Sequence, residues 1–149
     1  MPLKKVTLLL IAVSLPVLSE AQQRWTKSQL DVQQTLSNLF QSLSDRDSVS
    51  LMKYCADDIV LIEYGSIWNA DTLIQKAITL NTAPDFKRTN TLEFISTNVK
   101  GRVAWAMYNL HSEITRNEKL STLHWVETVF AVRKGKDWKI KVLHSTLIK

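Results

Sequence analysis

The chain predicts an α+β domain, with helices in its first half resting on one face of a long, strongly curved sheet supplied by its second half. Three observations carry this. Helical periodicity is confined to the residues before Leu80. From Thr91 onward, Val, Ile, Phe, Tyr and Trp gather in long runs separated by short polar breaks. The last of these, Trp125 to Thr146 (WVETVFAVRKGKDWKIKVLHST), places two such runs about an Arg-Lys-Gly-Lys-Asp break, which reads as a β-hairpin.

The elements follow in order. Leu30, Leu36, Leu39, Phe40 and Leu43 recur at helical spacing, so a first helix is expected from about Ser28 to Ser44. Asp47 or Ser48 can cap a short second helix through Tyr54, burying Val49, Leu51 and Met52. Asp57-Asp58 ends it, and the β-branched run Ile59 to Tyr64 is a strand. Gly65-Ser66 turns the chain into a short strand at Ile67-Trp68. Asn69 reads as the cap of a third helix, Ala70 to about Leu80. Residues 81–90 are expected as loop, followed by strands at about Thr91–Thr97, Arg102–Ile114, Thr122–Arg133 and Trp138–Leu147.

At 149 residues the chain is one domain at most, after a leader is set aside. Lys4 and Lys5 precede the apolar run Val6–Leu18, and Ser19-Glu20-Ala21 places small residues at −3 and −1 of a cut before Gln22. The run is well short of the roughly 20 residues that span a bilayer, and no Cys follows it to take a lipid. The expectation is a signal peptide at 1–21, a domain at 22–149, a secreted or periplasmic product, and no stable membrane anchor after cleavage.

Formal charge is +5, with the basic residues dispersed except for Arg133, Lys134, Lys136, Lys139 and Lys141 at the hairpin. That cluster is a soluble tip rather than a nucleic-acid stripe, which would need length and interleaved aromatics. A single cysteine, Cys55, excludes an internal disulfide framework and reads as a buried thiol.

The order of elements, the size, and the ending E-T-V-F-A-V-R-K-G-K-D-W-K-I-K-V-L-H-S-T resemble the nuclear transport factor 2-like superfamily. The likeness extends to its SnoaL-like members and to the association domain of calcium/calmodulin-dependent kinase II. Glu127, Thr128, Arg133, Trp138 and His144 occupy that ending's recurring positions, and Ala104 and Tyr108 match an Ala-x-x-x-Tyr upstream. The resemblance implies a cystatin-like roll: a cone of mixed, mainly antiparallel sheet around three helices. It also implies a pocket at the open end and subunits paired through the sheet. The kinase domain's anion pocket is not carried over, because Leu110, Val129 and Ser145 stand at its basic positions.

Strand parity sorts the candidates. Ala104, Ala106, Tyr108, Leu110 and Ser112 share one face, and the small residues place it inward against the helices. The same reasoning turns Trp125, Glu127, Val129, Leu143 and Ser145 toward the cone. With Tyr54 and Trp68 they form the expected ligand-binding set: Tyr54, Trp68, Tyr108, Leu110, Trp125, Glu127, Val129 and Ser145. Glu127 is the sharpest of these, since an acid among apolar walls must be paired, protonated or functional. Trp138, Ile140, Val142 and His144 fall on the convex face and are expected to meet a second subunit; a slip of parity at a bulge would instead turn His144 to the pocket. His111, His124 and His144 lack the short spacing of metal ligands, and no metal or cofactor is implied.

Three functions stay open on this reading. One is binding of a small apolar molecule in the cone. Another is acid–base catalysis of an isomerase, dehydratase or cyclase type by Glu127, Tyr108 and Asp57. The third is an interaction module without chemistry.

Overall fold

In a computed structural model describing residues 24–148, Thr26 opens the first helix with a capping box. Its side chain accepts from the Gln29 amide, and the Gln29 side chain accepts from the Thr26 amide at 2.7 Å. Helix α1 (Lys27–Asp45) buries Val32, Leu36, Leu39, Phe40 and Leu43, the stripe its spacing requires. Arg46 ends it in the left-handed conformation. Asp47 then caps α2 (Ser48–Tyr54) by accepting from the Ser50 amide at 2.9 Å. The leader expected at residues 1–21 lies outside the described residues. Among those described, no helix is long and apolar enough to cross a membrane.

Strand β1 (Cys55–Glu63) starts directly after α2, earlier than its apolar pattern. Asp57 and Asp58 therefore belong to a strand, and both point to solvent. There Asp57 meets Lys134 at 2.9 Å and Asp58 meets Lys141. A two-residue turn at Tyr64-Gly65, both at positive φ, leads into β2 (Ser66–Trp68). Asn69 caps α3 (Ala70–Ile74) as expected, accepting from the Thr72 amide at 2.9 Å. The expected helix continues as a π-helical turn, Gln75–Thr79.

Four long strands complete the chain: β3 (Lys87–Lys100), β4 (Val103–Arg116), β5 (Lys119–Lys134) and β6 (Asp137–Leu147). Strand β3 begins inside the segment expected as loop. Its first residues are polar, but Lys87 to Asn90 pair with Thr115 to Ser112 of β4, and that pairing makes them strand. The six-stranded sheet runs β2-β1-β6-β5-β4-β3, with β1 and β6 parallel and the other pairs antiparallel. The β5–β6 hairpin thus lies in the middle of the sheet.

Helix α1 packs across the inner face and is pinned to β3 by polar contacts. Gln33 donates to Thr97 Oγ1 at 3.0 Å, and Asn90 donates to Ser44 Oγ at 2.8 Å. Ala104, Ala106 and Ala131 are buried in the same core as the apolar stripe of α1. Cys55 is buried in the same core, which pushes its thiol up to about 11 and leaves it a poor nucleophile.

One face assignment is corrected. Phe130 pairs with Val142 but Ala131 pairs with Ile140, so Lys141 is an extra residue, a β-bulge. Side chains before it exchange faces relative to those after it. Trp138 and Ile140 are therefore core residues, 3% and 0% exposed, and not part of a convex face. Val142 and His144, after the bulge, do face outward.

Candidate functional site

Between the inner face of the sheet and the helices, the cone keeps a cavity of about 210 Å³. Its apolar wall comes from Phe40 and Leu43 of α1, Leu73 and Ala77 of the third helical segment, and Leu110, Ile114, Leu123 and Trp125 of β4 and β5. Its polar groups divide by depth. Glu127 is buried, Glu63, Arg88 and Asn81 are half-buried, and Tyr64, Lys76 and Arg116 are the exposed lining. The cavity is smaller than the roughly 300–1,000 Å³ typical of drug-sized pockets, so any occupant is small.

Glu127 sits in the central strand of the inner face and is only 3% exposed. It lies directly opposite Tyr108 on β4 and Ser145 on β6. One carboxylate oxygen, Oε1, is 2.8 Å from Ser145 Oγ. The same hydroxyl is 2.7 Å from Oε1 of Glu63. Glu127 Oε2 and the Tyr108 hydroxyl have no hydrogen-bond partner, and among the described residues they are the buried side-chain polar atoms left in that state. Phenol and carboxyl are near enough for the Tyr108 hydroxyl to hold the Glu127 carboxyl down, but their geometry falls short of a well-formed hydrogen bond.

Burial drives the electrostatics here. It pushes the Glu127 carboxyl up to about 7, with the Glu63 charge adding to it, while Tyr108, Ser145 and Arg88 act against the rise. Burial raises Glu63 as well, opposed by the Ser145 hydroxyl and by Arg88. The Tyr108 hydroxyl is held well above its usual range by burial and by Glu127. Arg88 is lowered by burial; it donates from Nε to Asn90 at 2.9 Å, and its charge faces both glutamates. The site therefore holds a proton on a carboxyl near neutrality, next to a neutral phenol.

Of the residues expected to bind a ligand, Trp68, Leu110, Trp125 and Glu127 line the cavity. Tyr108 lies behind Glu127, fully buried, and Ser145 reaches the site through its hydroxyl. Val129 is inward but packed in the core. Tyr54 is elsewhere: it borders a polar groove of about 870 Å³ between α1, α2 and the β5–β6 hairpin tip. That groove and a neighbouring one of about 600 Å³ are larger than the cone cavity. They run between charged surface side chains already engaged in pairs such as Lys27–Asp31, Lys134–Asp57 and Lys141–Asp58. Asp57 is in one of these pairs, with its side chain 88% exposed, so its place as a catalytic candidate is withdrawn.

Glu63, one of the acids near the first strand, and Arg88 lie outside the expected site set. Glu63 carried a usable signal, because Ile59, Leu61 and Glu63 alternate on one face and the first two are buried. Arg88 carried none, since parity is undefined in an expected loop. His111 and His124 stack on the outer face with centroids 4.2 Å apart, bounded by Glu93 and Asn109. Among the described residues there is no cluster of His, Cys, Asp or Glu suited to a metal ion.

Comparison with known proteins agrees with this architecture. A family model described as the SnoaL-like domain matches residues 32–148. The CaMKII hub homology domain of Chlamydomonas reinhardtii superposes with a TM-score of 0.73 at 16% identity, covering 83% of this chain and 100% of that one. An NTF2-like protein from Cytophaga hutchinsonii gives 0.69 at 13% identity, covering 83% and 100%. A ketosteroid isomerase-like protein from Erwinia carotovora atroseptica gives 0.67 at 11% identity, covering 84% and 99%. At these identities the likeness is one of fold. No curated protein sequence matches the chain.

Proposed function

The chain belongs to the SnoaL-like domain family, and from that footing we propose that it binds a small molecule in its cone. The apolar body of the ligand rests on Leu110, Trp125 and Phe40, and one polar group meets Glu127. The observation that carries this is the buried carboxyl of Glu127 in the cavity lining, whose Oε2 has only the Tyr108 phenol near it and no hydrogen bond of good geometry. An unpaired buried polar atom costs about 1–3 kcal/mol, a cost that a ligand's hydrogen bond removes. The expected ligand is thus less apolar than the composition of the strands alone suggests.

Phenol and cyclohexanone, two small probes with a hydroxyl and a carbonyl, test the reading. Saturable shifts of the Trp125 and Trp68 indole NMR signals support it, provided that they vanish in a cavity-filling Leu110→Trp variant. Absence of saturable shifts with both probes, or shifts that survive Leu110→Trp, counts against it.

A second reading, acid–base catalysis, is favoured by one specific feature: a carboxyl pushed up to about 7 beside Tyr108. A general base is most effective when its pKa lies near the working pH. Its mark would be exchange of the α-hydrogens of cyclohexanone in D₂O above the buffer rate, lost in Glu127→Gln. Exchange at the buffer rate would leave binding alone. Self-association through the outer sheet face is compatible with either. Trp105, Phe130, Val142 and Val60 make a cross-strand row there, and some fold relatives are hub domains.

A further inference from the structure

Ser145 poses a counting problem. Its hydroxyl has one hydrogen, yet two carboxyl oxygens lie at hydrogen-bond length from it, Glu63 Oε1 at 2.7 Å and Glu127 Oε1 at 2.8 Å. An ionised carboxylate only accepts. If both glutamates were ionised, one of the two contacts would hold no hydrogen and two negative charges would crowd one oxygen. One carboxyl must donate to Ser145 while Ser145 donates to the other.

We infer that Glu63, Ser145 and Glu127 hold one proton in common, and that Glu63 is the group through which the buried Glu127 trades protons with solvent. The transfer balances. Glu63 gives its proton to Ser145 Oγ as Ser145 gives its own to Glu127, so one O–H bond forms for each that breaks and the net charge stays at −1. Glu63 is suited to the outer end. It lines the cone cavity and also a second hollow of about 250 Å³, shared with Tyr64, His144, Ser145 and Leu147. A molecule plugging the cone therefore leaves Glu127 a route for exchanging its proton. The Tyr64-Gly65 turn directly after Glu63 holds Tyr64 at φ 51, a left-handed conformation that side chains adopt at a cost. That turn carries β1 into β2 and pairs Glu63 with Ser66, which sets where β1 ends beside β6 residue Ser145.

The groups facing this trio come from every strand around it. Tyr108 on β4 and Arg88 on β3 face Glu127, and Arg88 and His144 face Glu63. Lys76 and Arg116 belong to the cavity lining, and α1 offers it only Phe40 and Leu43. The inference deepens the reading of the cone as a site but is testable on the empty protein, so a cone that binds nothing leaves the result intact.

The experiment is a pH titration of the full chain labelled with ¹³C at the glutamate carboxyls. The Cδ signals of Glu63 and Glu127 are expected to move over one common interval and to account together for one proton. Ser145→Ala should separate the two curves and shift that of Glu127 to higher pH, and Ser145→Thr, which keeps the hydroxyl, should restore the common step. If Ser145→Ala does not fold, Glu63→Gln serves: the Glu127 midpoint must then move, and the step must become a simple one-site curve. A Glu63 that stays ionised from pH 5 to 8, or a Glu127 midpoint unmoved by these substitutions, overturns the inference.

Discussion

Glu127 shows how a single position can be legible in type and illegible in state. Strand parity alone places it inward. Its protonation depends on Ser145, Tyr108 and Glu63, which arrive from three other strands. A stability consequence follows with a definite sign. Because the folded-state value is raised from 4.5 to about 7, the folded protein holds the proton more tightly than the unfolded chain. Stability associated with Glu127 is then fully present below about pH 4.5 and is lost as the pH rises through 7. The shift corresponds to about 3 kcal/mol, and Glu63, also raised, acts in the same direction. Chemical denaturation between pH 5 and 8 should show stability falling as pH rises. Glu127→Gln should flatten the profile and leave the protein more stable than wild type at pH 8. An unchanged slope in the variant would mean that another group carries the pH dependence.

At the scale of elements, the strands of the second half were readable from their apolar runs, and the helix caps at Asp47 and Asn69 from their residue types. What sequence could not supply was register. The bulge at Lys141 has no glycine or proline to announce it, and the K-I-K-V alternation reads as unbroken strand. Only the simultaneous pairing of β6 with β1 and β5 shows the slip. Its energetic mark should be plain. Ile140→Ala is expected to cost about 2–5 kcal/mol in denaturant unfolding, as for a buried aliphatic truncation. Val142→Ala, beyond the bulge and half-exposed, should cost under about 1.5 kcal/mol. Equal costs would argue against the bulge. The β4–β5 turn has a similar hidden support. Asn117 and Glu118 both hold positive φ, and the Asp85 carboxylate accepts from both of their amides, at 2.8 and 2.7 Å. Gly at the second position of such a turn avoids the side-chain penalty, so Glu118→Gly should raise the thermal midpoint rather than lower it.

The whole molecule presents two faces with different chemistry. The inner face is the cone. The outer face carries Trp105, Met107 and Phe130, each about 40% exposed, in adjacent positions on β4 and β5. A second copy seated there should give a dimer by sedimentation equilibrium that Trp105→Asp together with Phe130→Asp converts to monomer. A wild-type chain that sediments as a monomer at tens of micromolar, or a dimer indifferent to both changes, would remove that face from the account. The fold was readable in the sequence because long-range β pairing follows alternation. The identity of the ligand was not, because 210 Å³ of space is defined by side chains from five strands, α1, α3 and the π-helical turn that no local pattern brings together. The measurement that bears most directly on the central claim is a crystal structure of protein purified without dialysis or after soaking with phenol. Density for a small molecule against Trp125, with a polar atom within hydrogen-bond distance of Glu127 Oε2, is the predicted result. A cone closed by its own side chains, with Oε2 bonded within the protein, would contradict it.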